Sequence, residues 1–124
     1  FPVLKIIKGG AVTRNAGRQI NAYLEGKLRK FNLKLDLRGT AFQREILRKV
    51  AAIPYGKTRT YGEIAHLAGK PKAFLAVGSA NASNPIPIII PCHRVVASRG
   101  LGGYAGGLEM KKYFLALETK AGKK

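Results

Sequence analysis

The one cysteine of this chain, Cys92, stands directly beside one of its two histidines, His93. The pair lies in the run Ile86-Pro87-Ile88-Ile89-Ile90-Pro91-Cys92-His93-Arg94-Val95-Val96. The thiolate is the nucleophilic form of cysteine, and imidazole is the side chain that takes up a proton near neutral pH. Pro91 cannot donate to a sheet ladder and fixes its own φ. The apolar residues before it therefore predict an extended run that ends at Pro91 and presents Cys92 and His93 on a turn. Two readings stand at this point. The pair is a nucleophile with its base, or Cys92 is a small buried apolar residue and the two side chains point apart.

Charge narrows the class of partner. Lys and Arg number 23 against 6 Asp and Glu, a formal charge of +17. Such an excess implies an anionic partner, nucleic acid first and an anionic membrane surface second. Basic residues run from Lys5 to Lys124, so no single stretch marks a binding face. A lone cysteine leaves no intramolecular disulfide and no Cys-rich zinc motif, and it fits a reducing compartment, the cytoplasm or a nucleus. Lys or Arg interrupts every apolar stretch before it could span a bilayer, and no secretory signal pattern is visible. No Gly-rich phosphate loop appears, and neither cofactor nor metal is expected. With 124 residues and 46% hydrophobic content, the chain suits one compact domain with part of another.

The elements that must position the pair follow from spacing and punctuation. Phe1–Ile7 is a candidate strand. Asn15–Glu25 carries Ala16, Ile20, Tyr23 and Leu24 at helical spacing, closed by Gly26. A boundary or hinge is expected near Asp36–Gly39. Thr40-Ala41-Phe42-Gln43 is a capping box opening a helix with Phe42, Ile46, Leu47 and Val50 on one stripe. Pro54-Tyr55-Gly56-Lys57 reads as a turn. A second capping box, Thr60-Tyr61-Gly62-Glu63, opens a short helix to Ala68, and a third helix of small residues spans roughly Ala73–Ser83. Two short helices around a Gly-containing turn form either a DNA-binding helix-turn-helix or an ordinary helical hairpin; pattern alone favours the hairpin, and the charge brings the two readings level. Val95-Val96 is a short strand, and Ser98-Arg99-Gly100 a turn. Leu101–Gly107, with four glycines around Tyr104, is a candidate lid. A last helix is expected over Leu108–Glu118. Glu118 sits late in it, where a carboxylate opposes the helix dipole, so it is expected to pair with another group.

Several blocks agree in order with one family. They are Gly39-Thr40-Ala41-Phe42-Gln43, Ile53-Pro54-Tyr55-Gly56-Lys57-Thr58-Arg59-Thr60-Tyr61, Ala76-Val77-Gly78 with Asn84-Pro85, Ile90-Pro91-Cys92-His93-Arg94-Val95-Val96, Gly103-Tyr104-Ala105-Gly106-Gly107-Leu108 and Leu117-Glu118. From about Gln19 to Glu118 the chain resembles the O6-alkylguanine-DNA alkyltransferases, the methylated-DNA–protein-cysteine methyltransferases. The resemblance implies a mainly α, α+β fold. Residues 37–118 would form a winged-helix-like helix-turn-helix domain that carries the active site and a short two-stranded element. Residues 1–36 would be the truncated remnant of an α/β N-terminal domain with a linker, and 119–124 a basic tail.

The resemblance also implies a mechanism. A monomer binds double-stranded DNA through the minor groove and flips an O6-alkylated guanine, or O4-methylthymine, into a pocket. It then moves the alkyl group once and irreversibly to its own cysteine. Cys92 would be the acceptor, His93 the base acting through a bridging water, Glu118 the group that orients His93, and Asn84 the brace of the turn. Tyr61 would give a proton or hydrogen bond to the base. The carbonyls of Cys92 and Val95 would accept from the exocyclic amine. Tyr104, Ala105 and Gly106 would close over the base, with the Ala105 N–H near O6. DNA contact would fall to Arg59, Thr60, Ala73, Phe74, Leu75, Ala76, Gly78, Asn81 and Arg94.

Three positions depart from the family's pattern. Leu75 stands where an arginine usually fills the gap left by the flipped base, so Leu75 or Phe74 is expected to act as an apolar wedge. Ala105 replaces a frequent serine, and the N-terminal part is short. Two other function classes stay open beside the alkyltransferase: a non-catalytic or weakly catalytic sensor of alkylated DNA, and a cysteine hydrolase, whose His normally lies far from its Cys in sequence.

Overall fold

The computed structural model describes residues 14–32, 37, 39–104 and 107–122. The expected strand Phe1–Ile7, the hinge residues Asp36 and Arg38, and Ala105 and Gly106 of the candidate lid lie outside them. The described chain is mainly helical: α1 (Arg14–Leu24), α2 (Ala41–Ala51), β1 (Arg59–Thr60), α3 (Tyr61–Leu67), α4 (Phe74–Ala82), β2 (Val95–Val96) and α5 (Leu108–Gly122). A single 3₁₀ turn, Cys92–Arg94, precedes β2. The expected strand Val95-Val96 finds its partner in β1; the pair is parallel, with Arg59 opposite Val95 and Thr60 opposite Val96. It ties the residues just after the Cys-His turn to the entrance of α3.

Local chemistry explains where the helices start and stop. Both capping boxes form. Thr40 accepts from the Gln43 N–H and Gln43 returns to the Thr40 N–H, and Thr60 and Glu63 do the same for α3. Each satisfies two of the donors that a helix start leaves orphaned. Past α1, the Lys27 N–H reaches Ala22 O at 2.8 Å and the Gly26 N–H reaches Tyr23 O at 3.0 Å. That pair of bonds needs a left-handed residue, and Gly26 supplies it at φ 76°.

Two apolar clusters share the interior. In the first, Ile46, Leu47 and Val50 of α2 meet Ile64 and Ala65 of α3, Val77 and Ala80 of α4, and Ile53, Ile90 and Val95. The second joins Ile20 and Tyr23 of α1 to Ile88 and to Met110 and Phe114 of α5. The segment before Cys92 straddles the two, with Ile88 in one and Ile90 in the other, so both clusters fix the turn. Neither cluster forms from local sequence alone, and α1 packs across the expected boundary at 36 onto the C-terminal helix.

Two expectations change. Ile86–Ile90 is a tight turn rather than an extended run, with the Ile90 N–H on Ile86 O at 3.1 Å. Asn84 forces this by donating to Ile90 O at 2.8 Å while accepting the Ile86 N–H at 3.0 Å. The last helix continues to Gly122, so residues 119–122 extend it rather than begin a tail. Among the described residues, no helix is long and apolar enough to cross a membrane.

Candidate active site

Cys92 is buried at one wall of a cleft of about 260 Å³ lined also by Tyr61, Gly78, Asn81, Ala82, Gly103 and Tyr104. Two buried asparagines hold the turn that places it. Asn84 bridges both ends of the loop before Pro91, as above, and Asn81 donates from Nδ2 to Cys92 O at 3.3 Å. Irregular backbone in an interior must find partners for its polar groups, and these side chains supply them. Ile88 in this loop adopts φ 79°. A β-branched residue there costs of order 1–3 kcal/mol, and the packing of Ile88 in the second cluster offsets it.

Behind the cysteine, Glu118 gathers donors from three segments. His93 Nε2 lies 2.6 Å from Oε2. Arg94 donates from Nε to Oε1 at 2.8 Å and from Nη2 to Oε2 at 2.9 Å. The Gly56 N–H reaches Oε1 at 3.1 Å, and the Tyr23 hydroxyl donates to Oε2 at 2.6 Å. Burial alone would raise the Glu118 carboxyl, but the hydrogen bonds from His93, Arg94 and Tyr23 outweigh it and hold the group at about 2. An ionised carboxylate at Nε2 puts the imidazole proton on Nε2. That leaves Nδ1 as the acceptor, and Nδ1 has no partner among the described residues. Burial pushes the His93 pKa down, against the upward pull of Glu118. Burial also pushes the Cys92 thiol up, partly countered by the Asn84 amide and the Lys111 charge. At rest the pair is therefore a neutral thiol and a neutral imidazole.

The front of the cleft is shaped by Tyr61 and the loop before α5. The Gly103 N–H donates to the Tyr61 hydroxyl at 3.3 Å. A Cβ on Gly102 would lie 2.6 Å from that hydroxyl, so only glycine permits the approach. The Tyr104 hydroxyl is buried with no hydrogen-bond partner among the described residues; burial first, then the adjacent Cys92, raises its pKa. Lys111, fully buried on α5, ties the loop down. Its ammonium donates to Val95 O at 2.7 Å, to Gly103 O at 3.0 Å and to Leu101 O. Burial brings its pKa to about 8.

The expected site residues divide into three groups. Cys92, His93, Glu118, Asn84, Tyr61, Tyr104 and Val95 come together around the cleft, though the Val95 carbonyl already accepts from Lys111. Cys92 O already accepts from Asn81 and from the Val95 N–H. Phe74, Leu75 and Ala76 are exposed along the start of α4, with half-buried Ala73 as its N-cap. Arg59 is half-buried on β1, the Thr60 hydroxyl is spent on its capping box, and Gly78 lines the cleft against the Tyr61 ring. Two residues expected at the DNA surface are not there. Arg94 is buried by its fork on Glu118 and a bond to Ile53 O at 2.8 Å. Asn81 is buried beneath Cys92 O.

Sequence reasoning missed Tyr23 and Lys111. Tyr23 read only as one apolar position of a helical stripe, yet a hydroxyl on a buried stripe needs a partner. Lys111 falls at i, i+3 and i+7 with Phe114 and Glu118, the spacing of one helix face, which was the available signal.

The low Glu118 pKa carries a pH dependence. A carboxyl with a folded pKa below its ordinary value of 4.5 stabilises the fold above that value, and the stabilisation disappears as pH falls toward about 2. Urea midpoints are expected to fall first as pH drops below about 6.5, where unfolding lets the buried His93 take up a proton, and to fall further between about 4.5 and about 2 as Glu118 is protonated. Midpoints unchanged down to about pH 2 would contradict the burial of a charged Glu118.

Three comparisons bear on this geometry. Residues 41–120 match the family model of the 6-O-methylguanine DNA methyltransferase DNA-binding domain. The methylated-DNA–protein-cysteine methyltransferase of Methanosarcina barkeri is 57% identical over 106 residues, 85% of this chain and 67% of that protein. Mycobacterium tuberculosis OGT, solved in complex with DNA, superposes with a TM-score of 0.84 at 51% identity, covering 86% of this chain and 67% of that one. Schizosaccharomyces pombe Atl1, solved with damaged DNA containing O6-carboxymethylguanine, gives a TM-score of 0.57 at 36% identity, covering 66% of this chain and 79% of that one. The chain thus spans about two thirds of the length of the first two relatives, and it belongs to the methylated-DNA–protein-cysteine methyltransferase family.

Proposed function

We propose that this protein repairs DNA by a single, direct transfer of an alkyl group from O6-alkylguanine, and from O4-methylthymine, to Cys92. The observation that carries the reading is the only cysteine set in a base-sized cleft, backed by an imidazole whose Nδ1 is left open and whose Nε2–H is held by Glu118. The thiol proton passes to His93 Nδ1, directly or through a bridging water. The thiolate attacks the alkyl carbon, the S–C bond forms as the C–O6 bond breaks, and the electron pair stays on the purine. Tyr61 donates to the departing base, and the proton first held by the thiol ends on guanine. Because burial keeps Cys92 protonated at rest, the nucleophile forms only as His93 takes the thiol proton. The thioether product is inert, so each molecule acts once. The domain boundary near residue 36 and a cytoplasmic, monomeric protein belong to the same reading.

A base in a duplex cannot reach Cys92 without leaving the stack, which costs a few kcal/mol. The α3–α4 pair is the element to enter the minor groove, with exposed Lys70 and Lys72 between the helices to meet phosphate. At the head of α4, Leu75 is 77% exposed and Phe74 50%. Water-facing apolar side chains at that place fit a wedge that fills the space of the flipped base.

Incubation with a duplex containing O6-methylguanine is expected to add one methyl group per molecule at Cys92, seen by intact mass, and then to stop. Cys92→Ala is expected to take none while keeping its DNA affinity, which should fall steeply with salt. Binding without an adduct would replace this reading with that of a damage sensor, and repeated turnover would point to a hydrolase. For the wedge, Leu75→Arg is expected to change transfer from duplex DNA by less than about threefold, less than one good contact is worth. A large gain in rate would show that Leu75 weakens flipping instead.

A further inference from the structure

The helix that precedes the matched region contributes a group to the reacting network. Tyr23 of α1 is fully buried, and its ring packs against Phe31, Tyr55, His93 and Phe114. Its hydroxyl lies 2.6 Å from Glu118 Oε2 and 3.3 Å from His93 Nε2. With the Nε2 proton directed to Oε2, the three atoms form a closed triangle around one carboxylate oxygen.

We propose that Tyr23 is a positioning residue for alkyl transfer, fixing the Glu118 oxygen that orients His93. The inference rests on the function proposed above. Arg94 grips Glu118 with two hydrogen bonds and draws the carboxylate toward its own guanidinium. Tyr23 donates to Oε2 as well, the same oxygen that meets His93 Nε2. Its oxygen also lies within 3.3 Å of Nε2. When Nδ1 takes the Cys92 proton, the imidazolium therefore meets both a carboxylate and a hydroxyl oxygen. Burial, and then the Glu118 charge, push the Tyr23 pKa far above its ordinary range, so the hydroxyl stays protonated and keeps its proton on Glu118. Tyr23 lies outside residues 41–120, so the active site is incomplete without α1.

The test uses the full chain with Tyr23→Phe, which keeps the ring contacts and removes only the hydroxyl. Saturation kinetics of transfer from O6-benzylguanine are expected to show the maximal rate down about tenfold, the order of one lost hydrogen bond to a charged group. The half-saturating concentration should stay within about twofold. Reaction of Cys92 with iodoacetamide, which needs no guanine, should slow to a similar degree. Phe31→Leu, which trims packing beside Tyr23 but no polar group, is the control and should leave the maximal rate in place. An unchanged maximal rate in Tyr23→Phe overturns the proposal. So does an equal loss in Phe31→Leu, or a loss that falls on half-saturation and melting temperature together. If the parent accepts no alkyl group from guanine, the iodoacetamide arm decides alone. Slower labelling of Tyr23→Phe keeps the Tyr23 assignment while the repair function falls, and equal labelling ends both.

Discussion

A single buried carboxylate organises this molecule. Glu118 sits on the last helix yet accepts from Tyr23 on the first, from Gly56 in the turn after α2, and from His93 and Arg94 in the turn that carries the cysteine. A charge in an interior is tolerable only when its lone pairs are met, and a missing partner costs several kcal/mol. The constraint works in both directions. The chain must bring these segments together to satisfy Glu118, and once they are together the Cys92–His93 turn has little freedom left. The same contacts that keep the acid ionised also choose the imidazole tautomer, so the stability of this core and its chemistry share one set of hydrogen bonds.

Much of this was legible in the residues. Capping boxes at Thr40 and Thr60, Gly26 after α1 and the apolar stripe of α2 are local signals, and local signals survive folding. The Cys-His pair and an acid in search of a partner at Glu118 were equally visible, while the brace at Asn84 came from the family resemblance. What was not legible depends on contacts distant in sequence. Arg94 looked like a surface cation because nothing nearby in the chain reveals that Glu118 will bury it. Asn81 was assigned outward for the same reason. The Ile86–Ile90 run looked extended by composition. The side chain of Asn84 overrode that preference, and the left-handed Ile88 is a conformation that no propensity for isoleucine would suggest.

The front of the site depends on a different device. Lys111 is a buried cation that serves two carbonyls of the loop closing over the cleft and one of β2, while Gly102 lets that loop touch Tyr61. The cleft thus has a back wall fixed by a carboxylate and a front wall fixed by an ammonium, with the thiol between them. This polarity suits a reaction that creates a thiolate and moves negative charge onto a purine. It also shows where two of the chain's 6 acids go: Glu63 caps a helix, and Glu118 holds His93.

The claim at the centre is that Glu118 leaves His93 neutral with its proton on Nε2 and a bare Nδ1 facing the work of taking the thiol proton. Nitrogen-15 NMR of the His93 side chain in the unalkylated protein measures this directly. Between about pH 6 and about pH 8, near the ordinary imidazole pKa, the expected spectrum is a neutral ring with a strongly hydrogen-bonded Nε2–H and an unprotonated Nδ1. A proton on Nδ1 with Nε2 bare would contradict the account.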